Sequence, residues 1–367
     1  MVDKKLIKNI DYFLLLSIYL ICAIGIVAIS SATHVQETGS YSMVIRQILW
    51  LAIGTVAFII IISLDYNLIG SYSTYIYFLN LILLLLVMVI GHKSNGAQSW
   101  IQLGSFMLQP SEFAKIAIIV TLSKYLSGKE GPLNNLKDIL TVGFHVGLPF
   151  LLIFIQPDLG TALVFIAIMI GMLFIFGIDF RWIVVGGLTI AVATPLIWLF
   201  ALKEHQKWRI LTFLNPSLDP LGYGYHAIQS KIAIGSGMIT GRGLFNGTQT
   251  QLDFLPEAHT DFIFSVVGEE LGFIGTMTVV ILYFIIVYRI IRIAMNAKDK
   301  FGMYICVGVV SMLLFQIFEN IGMTIGLMPI TGITLPFMSY GGSSLLANML
   351  AIGLVINVGM RRQKINF

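Results

Sequence analysis

The segment 251–275 carries a dense group of ionisable side chains in an otherwise apolar chain. Within eighteen residues it holds Asp253, Glu257, His259, Asp261, Glu269 and Glu270. A polar, glycine-rich stretch precedes this group and an apolar run follows it, so Asp261 is predicted to lie where water meets lipid. A carboxylate at that place can accept a proton from a substrate whose tail lies in the bilayer. Asp261 is therefore the candidate catalytic base, and His259 and Thr260 are its candidate substrate-binding neighbours.

A helix cap is the structural alternative for the same residues. Thr260 would cap the apolar helix that follows, and Asp261 would stabilise the first turn of that helix. A helix N-terminus would also lower the pKa of Asp261, which would keep it ionised and make it a weaker base.

Two further polar groups follow Gln-Pro pairs. In the segment 109–115, Glu112 and Lys115 are three residues apart and therefore share a helix face, where they could form either an internal salt bridge or part of a site. In the segment 156–162, Asp158 stands at a predicted helix start, where it could complement the helix dipole or contribute to the same site.

A run of five glycines lies between positions 235 and 247, with Lys231 before it and Arg242 within it. Exposed backbone amides together with basic side chains can hold a phosphate. A loop without any ligand explains this segment equally well. Farther along, the pair Glu319-Asn320 lies deep in an apolar run, where a structural hydrogen bond between helices is expected.

The composition predicts an all-α, polytopic integral membrane protein. Of 367 residues, 57% are hydrophobic and 11% are charged, which is too apolar for a soluble domain of this length. About ten runs approach the length of roughly 20 residues that spans a bilayer. They are 12–31, 45–64, 72–91, 111–127, 139–156, 159–178, 182–201, 262–290, 302–326 and 341–360. The net charge of +4 indicates an excess of basic residues in the cytoplasmic loops of a membrane protein rather than nucleic-acid binding. No repeat or second domain is visible, so residues 1–367 form one predicted domain.

Basic residues predict the orientation of the chain in the membrane. Fourteen of them fall on one side of the ten predicted spans. They are Lys4, Lys5, Lys8, Lys124, Lys129, Lys137, Arg181, Arg289, Arg292, Lys298, Lys300, Arg361, Arg362 and Lys364. Because basic loops stay cytoplasmic, both termini are expected in the cytoplasm and the long loop 202–261 outside. Residues 227–234 of that loop could form a short helix.

Five stretches in order along the chain resemble the SEDS family of bacterial shape, elongation, division and sporulation proteins. They are QPSEFAK at 109–115, QPDLGTA at 156–162, YHAIQSKIAIGSG at 225–237, FLPEAHTDFIFSVVGEELG at 254–272 and PITGITLPFMSYGGSS at 329–344. Within the family, GTQTQLDFLPE and the lysine of QSKIAIGSG resemble the elongation branch, RodA. The stretch around Asp261 fits the division branch, FtsW, nearly as well.

The resemblance implies a peptidoglycan glycosyltransferase of the bacterial cytoplasmic membrane that polymerises lipid II on its outer face. It places the family's essential aspartate on Asp261 and its cavity residues on Glu112, Lys115 and Asp158. It also implies a class B penicillin-binding protein and the Mre proteins as partners, and a divalent cation, Mg²⁺ or Mn²⁺, at an unknown site. A lipid II flippase and a non-catalytic scaffold that recruits a penicillin-binding protein are the alternatives.

Overall fold

The structure, a computed structural model, describes residues 8–34, 41–94, 97–104, 106–222 and 224–362. Lys4, Lys5 and Lys364, which contributed to the predicted orientation, lie outside the described residues. The described chain forms fourteen α-helices and a small sheet. The long helices are α1 Tyr12–Thr33, α2 Ser42–Ser63, α4 Ser73–Ile90, α5 Pro110–Ser127, α6 Leu136–Ile155, α7 Leu159–Phe176, α8 Phe180–Leu196, α12 Ile263–Met295, α13 Lys300–Ile325 and α14 Gly342–Met360.

These ten helices confirm the predicted polytopic, all-α membrane fold. Nine of them, in the described part of the chain, are long and apolar enough to cross a membrane. The tenth is α5, which corresponds to the predicted span 111–127 but contains Glu112, Lys115 and Lys124. It packs against α4, α7, α13 and α14. Surrounding helices thus bury Glu112 and Lys115, as the cost of charge in hydrocarbon requires, whereas Lys124 is exposed in the last turn of the helix.

The centre of the bundle is formed by α13 and α14. Helix α13 packs against α5, α7, α10, α12 and α14, and α14 packs most extensively against α2. Most of α14 is buried. By contrast, α8 lies at the periphery, where apolar side chains such as Leu188 and Val192 are largely exposed.

The structure adds short elements that the sequence did not predict. They are α3 Tyr66–Ser71, α9 Glu204–Leu214, α11 Thr248–Gln251, β1 His92–Ser94, β2 Ala97–Leu103 and β3 Phe106–Leu108. The three strands form an antiparallel sheet in the order β1-β2-β3. The helix expected at 227–234 is confirmed as α10, Tyr225–Ser236. The loop 202–261 is therefore largely folded and packs onto the bundle.

The predicted span 262–290 is not one continuous helix. Gly272 has φ 64° and ψ −158°, so α12 is broken there. The loop before α11 fills the break: Arg242 N–H donates to Glu269 O at 3.0 Å and Gly243 N–H donates to Glu270 O at 3.0 Å. In the other direction, Phe273 N–H donates to Met238 O at 2.9 Å. These bonds satisfy backbone groups that a membrane cannot hydrate.

The same bonds correct the interpretation of the glycine run. Its backbone amides at 242 and 243 are used by α12 carbonyls, so they are not free to hold a phosphate. Gly241 has φ 81°, and a Cβ there would lie 2.1 Å from Glu270 O. The glycines therefore permit close backbone contact.

We predict that Gly241→Ala destabilises the protein, whereas Gly235→Ala does not. At Gly241 the added Cβ would strain the left-handed backbone conformation and would also clash with the Glu270 carbonyl. Gly235 lies in α10 with open space at its Cβ, where Ala favours a helix by about 1 kcal/mol. Thermal unfolding in detergent measures both. Equal midpoints for the two variants would contradict the tight packing of this loop in the helix break.

Candidate functional site

Asp261 lies in a turn immediately before α12. The carbonyl of Glu257 accepts backbone N–H bonds from Thr260 at 3.2 Å and Asp261 at 3.1 Å. The Thr260 hydroxyl donates to Glu257 Oε2 at 3.0 Å. The cap position of α12 is Phe262, which makes no side-chain cap bond. The hypothesis that Thr260 caps the helix is therefore wrong.

The turn is held by α13 and by the segment before α14. Asn320 of α13 donates from Nδ2 to Asp261 O and to Ile333 O, each at 2.8 Å. Ser339 Oγ donates to Thr260 O at 2.6 Å. Asn320 was expected to join two helices, but the partners seen here are backbone carbonyls of a turn and a loop. The backbone of Asp261 is thereby fixed in place.

Asp261 lines a cavity of about 410 Å³ together with four other predicted site residues, Glu112, Lys115, Asp158 and Thr260. Glu112 lies in the first turn of α5, Asp158 is the N-cap of α7, and Asp261 directly precedes α12. Three helix starts from distant parts of the chain thus meet at one cavity. The structure brings these five residues together as the sequence predicted.

Two of these residues also have the structural interactions that were considered as alternatives. Lys115 Nζ and Glu112 Oε2 form a buried salt bridge of 2.8 Å. Asp158 Oδ1 accepts the N–H of Thr161 at 3.0 Å, and its Oδ2 accepts from Gln109 Nε2 at 3.1 Å. A structural bond and a place in the cavity are compatible for each.

The other three predicted residues do not line this cavity. Lys231 lines a small adjoining pocket. Arg242 lies at the break in α12, where its guanidinium donates to Thr248 Oγ1 at 3.0 Å. The ring of His259 is 5.7 Å from that of Tyr340, and its carbonyl accepts the Tyr340 N–H. Arg242 was a candidate phosphate ligand, but the loop that carries it is fixed at the helix break and does not line this cavity.

Sequence reasoning missed several cavity residues. They include Arg209, Glu257, Gln316, Ser99 and Trp100. Glu257 belonged to the ionisable segment, so its position was a usable signal. Arg209 lies on α9 and Trp100 on β2, two elements that were not predicted. Gln316 is buried inside α13 with an unpartnered Oε1, and no local sequence pattern reveals this.

Burial and a neighbouring carboxylate make Asp261 a stronger base than expected. Burial first, and then the charge of Glu257, raise the pKa of Asp261 to about 6, while Arg209 opposes this change. The expectation that a helix N-terminus would lower this pKa is wrong. Burial also raises the pKa of Asp158, although the Thr161 N–H opposes it. A carboxylate with a pKa near the working pH suits general-base catalysis.

The described residues do not form a three-ligand metal-binding site. Among the parts of the chain that the structure describes, no group of three His, Cys, Asp or Glu side chains is placed to hold a metal ion. The cavity carboxylates alone therefore do not fit a bound divalent cation.

Comparison with known proteins gives consistent results over the whole chain. The family model of FtsW, RodA and SpoVE, described as "Cell cycle protein", matches residues 11–364. The peptidoglycan glycosyltransferase MrdB of Escherichia coli strain K12 is 37% identical, covering 98% of this chain and 95% of its own. A probable peptidoglycan glycosyltransferase FtsW of Trichlorobacter lovleyi is 40% identical, covering 95% of this chain and 92% of its own.

A solved structure supports the same relationship. One chain of a peptidoglycan synthase complex, studied for the coordination of polymerization and crosslinking, superimposes with a TM-score of 0.82. It is 34% identical, and the match covers 96% of this chain and 98% of that chain.

We predict that Asn320→Leu lowers the free energy of unfolding by about 1–3 kcal/mol, because two carbonyls lose their amide donor in a buried place. Asn348→Leu is the matched control. Asn348 is equally buried, but its amide makes a single long bond of 3.4 Å to Ser344. Unfolding in detergent at increasing denaturant measures both. Equal losses would contradict the anchoring role of Asn320.

Proposed function

The chain belongs to the SEDS family of FtsW, RodA and SpoVE, and from this premise we propose that it is a peptidoglycan glycosyltransferase that polymerises lipid II with Asp261 as the base. The observation that carries the proposal is the combination of burial, raised pKa and cavity position at Asp261. It is half-buried, its pKa is raised to about 6, and it lines a cavity of about 410 Å³. It is not the N-cap of α12.

The reaction needs a proton acceptor. The acceptor sugar hydroxyl attacks the anomeric carbon of the donor and forms the new C–O bond. Asp261 takes the hydroxyl proton during this attack. The bond from the anomeric carbon to the diphosphate breaks, and the diphosphate oxygen takes the electron pair. Attack opposite the leaving group converts an α-linked lipid diphosphate into a β-linked strand. Because the diphosphate needs no proton, a second carboxylic acid is unnecessary.

The position of the ionisable groups favours a transferase over a flippase. Glu112, Asp158 and Asp261 all lie at the N-terminal ends of long helices, at one end of the bundle. A flippase would require polar groups along a path through the whole bilayer. A scaffold would not require a carboxylate with a raised pKa in a cavity. The two alternatives are therefore less well supported.

The elongation role rests on sequence motifs. GTQTQLDFLPE and Lys231 resemble the RodA branch, whereas the relatives include proteins named both MrdB and FtsW. We propose a role in cell elongation and shape maintenance with the Mre proteins. Rescue of rod shape in cells depleted of their elongation polymerase tests this, and rescue of septation alone would assign the division role.

The protein is a multi-pass membrane protein, and we propose that it lies in the bacterial cytoplasmic membrane with both termini in the cytoplasm. Ser217→Cys offers a test because this residue is exposed in the loop 202–261, while the native Cys22 and Cys306 are buried. An impermeant maleimide should label the variant in intact cells. Labelling only after lysis would reverse the orientation.

A class B penicillin-binding protein is the proposed partner. The second part of α12 presents apolar side chains that are largely exposed, including Phe273, Ile281 and Phe284, whereas α13 is mostly buried. The proposed contact is therefore α12. Co-purification of a class B protein with the wild type, and its loss on Ile281→Arg, tests this contact.

A divalent cation stays a proposal: one or two carboxylates would hold it together with substrate phosphates.

We predict that Asp261→Asn abolishes polymerisation of lipid II, with a loss of at least about 10²-fold. Asn keeps the shape of the side chain and removes the charge. The matched control is Asp253→Asn, in the same segment but outside the described cavity lining and at φ 58°, which Asn tolerates well. Purified variants with labelled lipid II, analysed by gel, measure the rate. Near wild-type polymer from Asp261→Asn would overturn the assignment.

We also predict an acid limb near pH 6 in the kcat/KM profile. Asp261 acts when ionised, so activity falls as the pH drops through its raised pKa, and roughly tenfold is lost at pH 5. Glu257→Gln should move the limb to lower pH, since the charge of Glu257 raises the pKa of Asp261. A limb that stays near pH 6 in this variant would contradict the role of Asp261.

A further inference from the structure

The charge balance of the cavity constrains where a diphosphate can bind. Among the lining residues that the structure describes are four acidic ones, Glu112, Asp158, Glu257 and Asp261. The basic ones are Lys115 and Arg209. Lys115 is already paired with Glu112 at 2.8 Å in a buried salt bridge. A diphosphate near the acidic groups would therefore meet like charge with only Arg209 to balance it.

Arg209 is the lining cation that remains available. It lies on α9, is exposed, and forms no ion pair within the described part of the chain. Arg209 and Asp261 line the same cavity. Arg209 also lines the adjoining small pocket, so it stands between the cavity and that pocket.

Lys231 lines the same small pocket. This exposed side chain of α10 also has no ion pair among the described residues. It lies across Gly326, which ends α13 with φ 80°, and a Cβ at Gly326 would be 2.3 Å from Lys231 Nζ. A lysine beside a helix C-terminus can serve only to complement the helix dipole. That role explains Lys231 but does not explain a second cation, Arg209, at the same pocket.

We propose that Arg209 and Lys231 together bind the diphosphate of the lipid-linked donor at the mouth of the cavity, so that the sugar extends inward toward Asp261. The proposal rests on the proposed function. The adjoining pocket has a volume of about 20 Å³, room for about one water molecule. The diphosphate therefore lies across the two side chains rather than inside the pocket.

This arrangement matches the change of charge during the reaction. When the bond between the anomeric carbon and the diphosphate oxygen breaks, that oxygen takes the electron pair and the diphosphate gains one negative charge. Two cations near the leaving oxygen stabilise the transition state more than the ground state. Arg209 provides a planar donor group that fits phosphate oxygens, and Lys231 provides a point charge.

The test is a binding measurement that does not depend on turnover. Geranyl diphosphate is titrated calorimetrically into purified protein in EDTA, so that metal bridging is removed. Arg209→Gln and Lys231→Gln should each weaken binding about tenfold or more and raise the KM for lipid II. The control Lys207→Gln lies on the same helix, where its charge is paired with Glu204 at 3.3 Å. It should bind as the wild type does, and so should Arg242→Gln.

The outcomes separate this inference from the proposed function. If the wild type polymerises lipid II while Arg209→Gln and Lys231→Gln bind geranyl diphosphate normally, the diphosphate site is wrong and the function stands. A lower melting temperature of Lys231→Gln with unchanged binding also overturns it, since that result assigns Lys231 to the helix end alone. If both variants lose binding but the wild type makes no polymer, the site stands and the proposed function fails.

Discussion

The amide of Asn320 is the interaction on which the arrangement of the cavity depends. One NH₂ group donates to the carbonyls of Asp261 and Ile333, and so joins the turn before α12 to the loop before α14. Asn320 is fully buried inside α13, at the centre of the bundle. An unpaired carbonyl in such a place costs about 1–3 kcal/mol. The catalytic candidate is therefore positioned by a rigid helix rather than by its own loop.

Similar polar bonds fix other irregular segments of the bundle. Gln47 of α2 donates to Ser339 O at 3.1 Å, and Ser339 in turn donates to Thr260 O. At the break in α12, the loop around Arg242 and Gly243 satisfies helix carbonyls that lipid cannot. In both places, irregular backbone is tolerated because protein groups supply hydrogen bonds that lipid cannot. These polar parts of the bundle are thus not loosely packed.

The sequence predicted what depends on composition and local spacing. Apolar runs predicted the ten long helices, and the spacing of Glu112 and Lys115 predicted their salt bridge. Asp261, Asp158 and Glu112 were grouped correctly because each precedes or begins a helix on the same side. The break at Gly272 was not predicted, since it depends on a loop thirty residues earlier in the chain folding back onto the helix. Arg209 was missed and Arg242 misplaced for the same reason: tertiary contacts, not local pattern, decide which basic residue reaches the cavity.

We propose that a lipid-linked acceptor sugar enters this cavity with its reacting hydroxyl at Asp261. The most direct measurement is an experimental structure of the Asp261→Asn protein with lipid II analogues bound as both donor and acceptor. We predict an acceptor hydroxyl within about 3 Å of the side chain at position 261 and the donor diphosphate beside Arg209 and Lys231. A sugar bound outside the cavity, or a diphosphate bound beside Arg242, would contradict it.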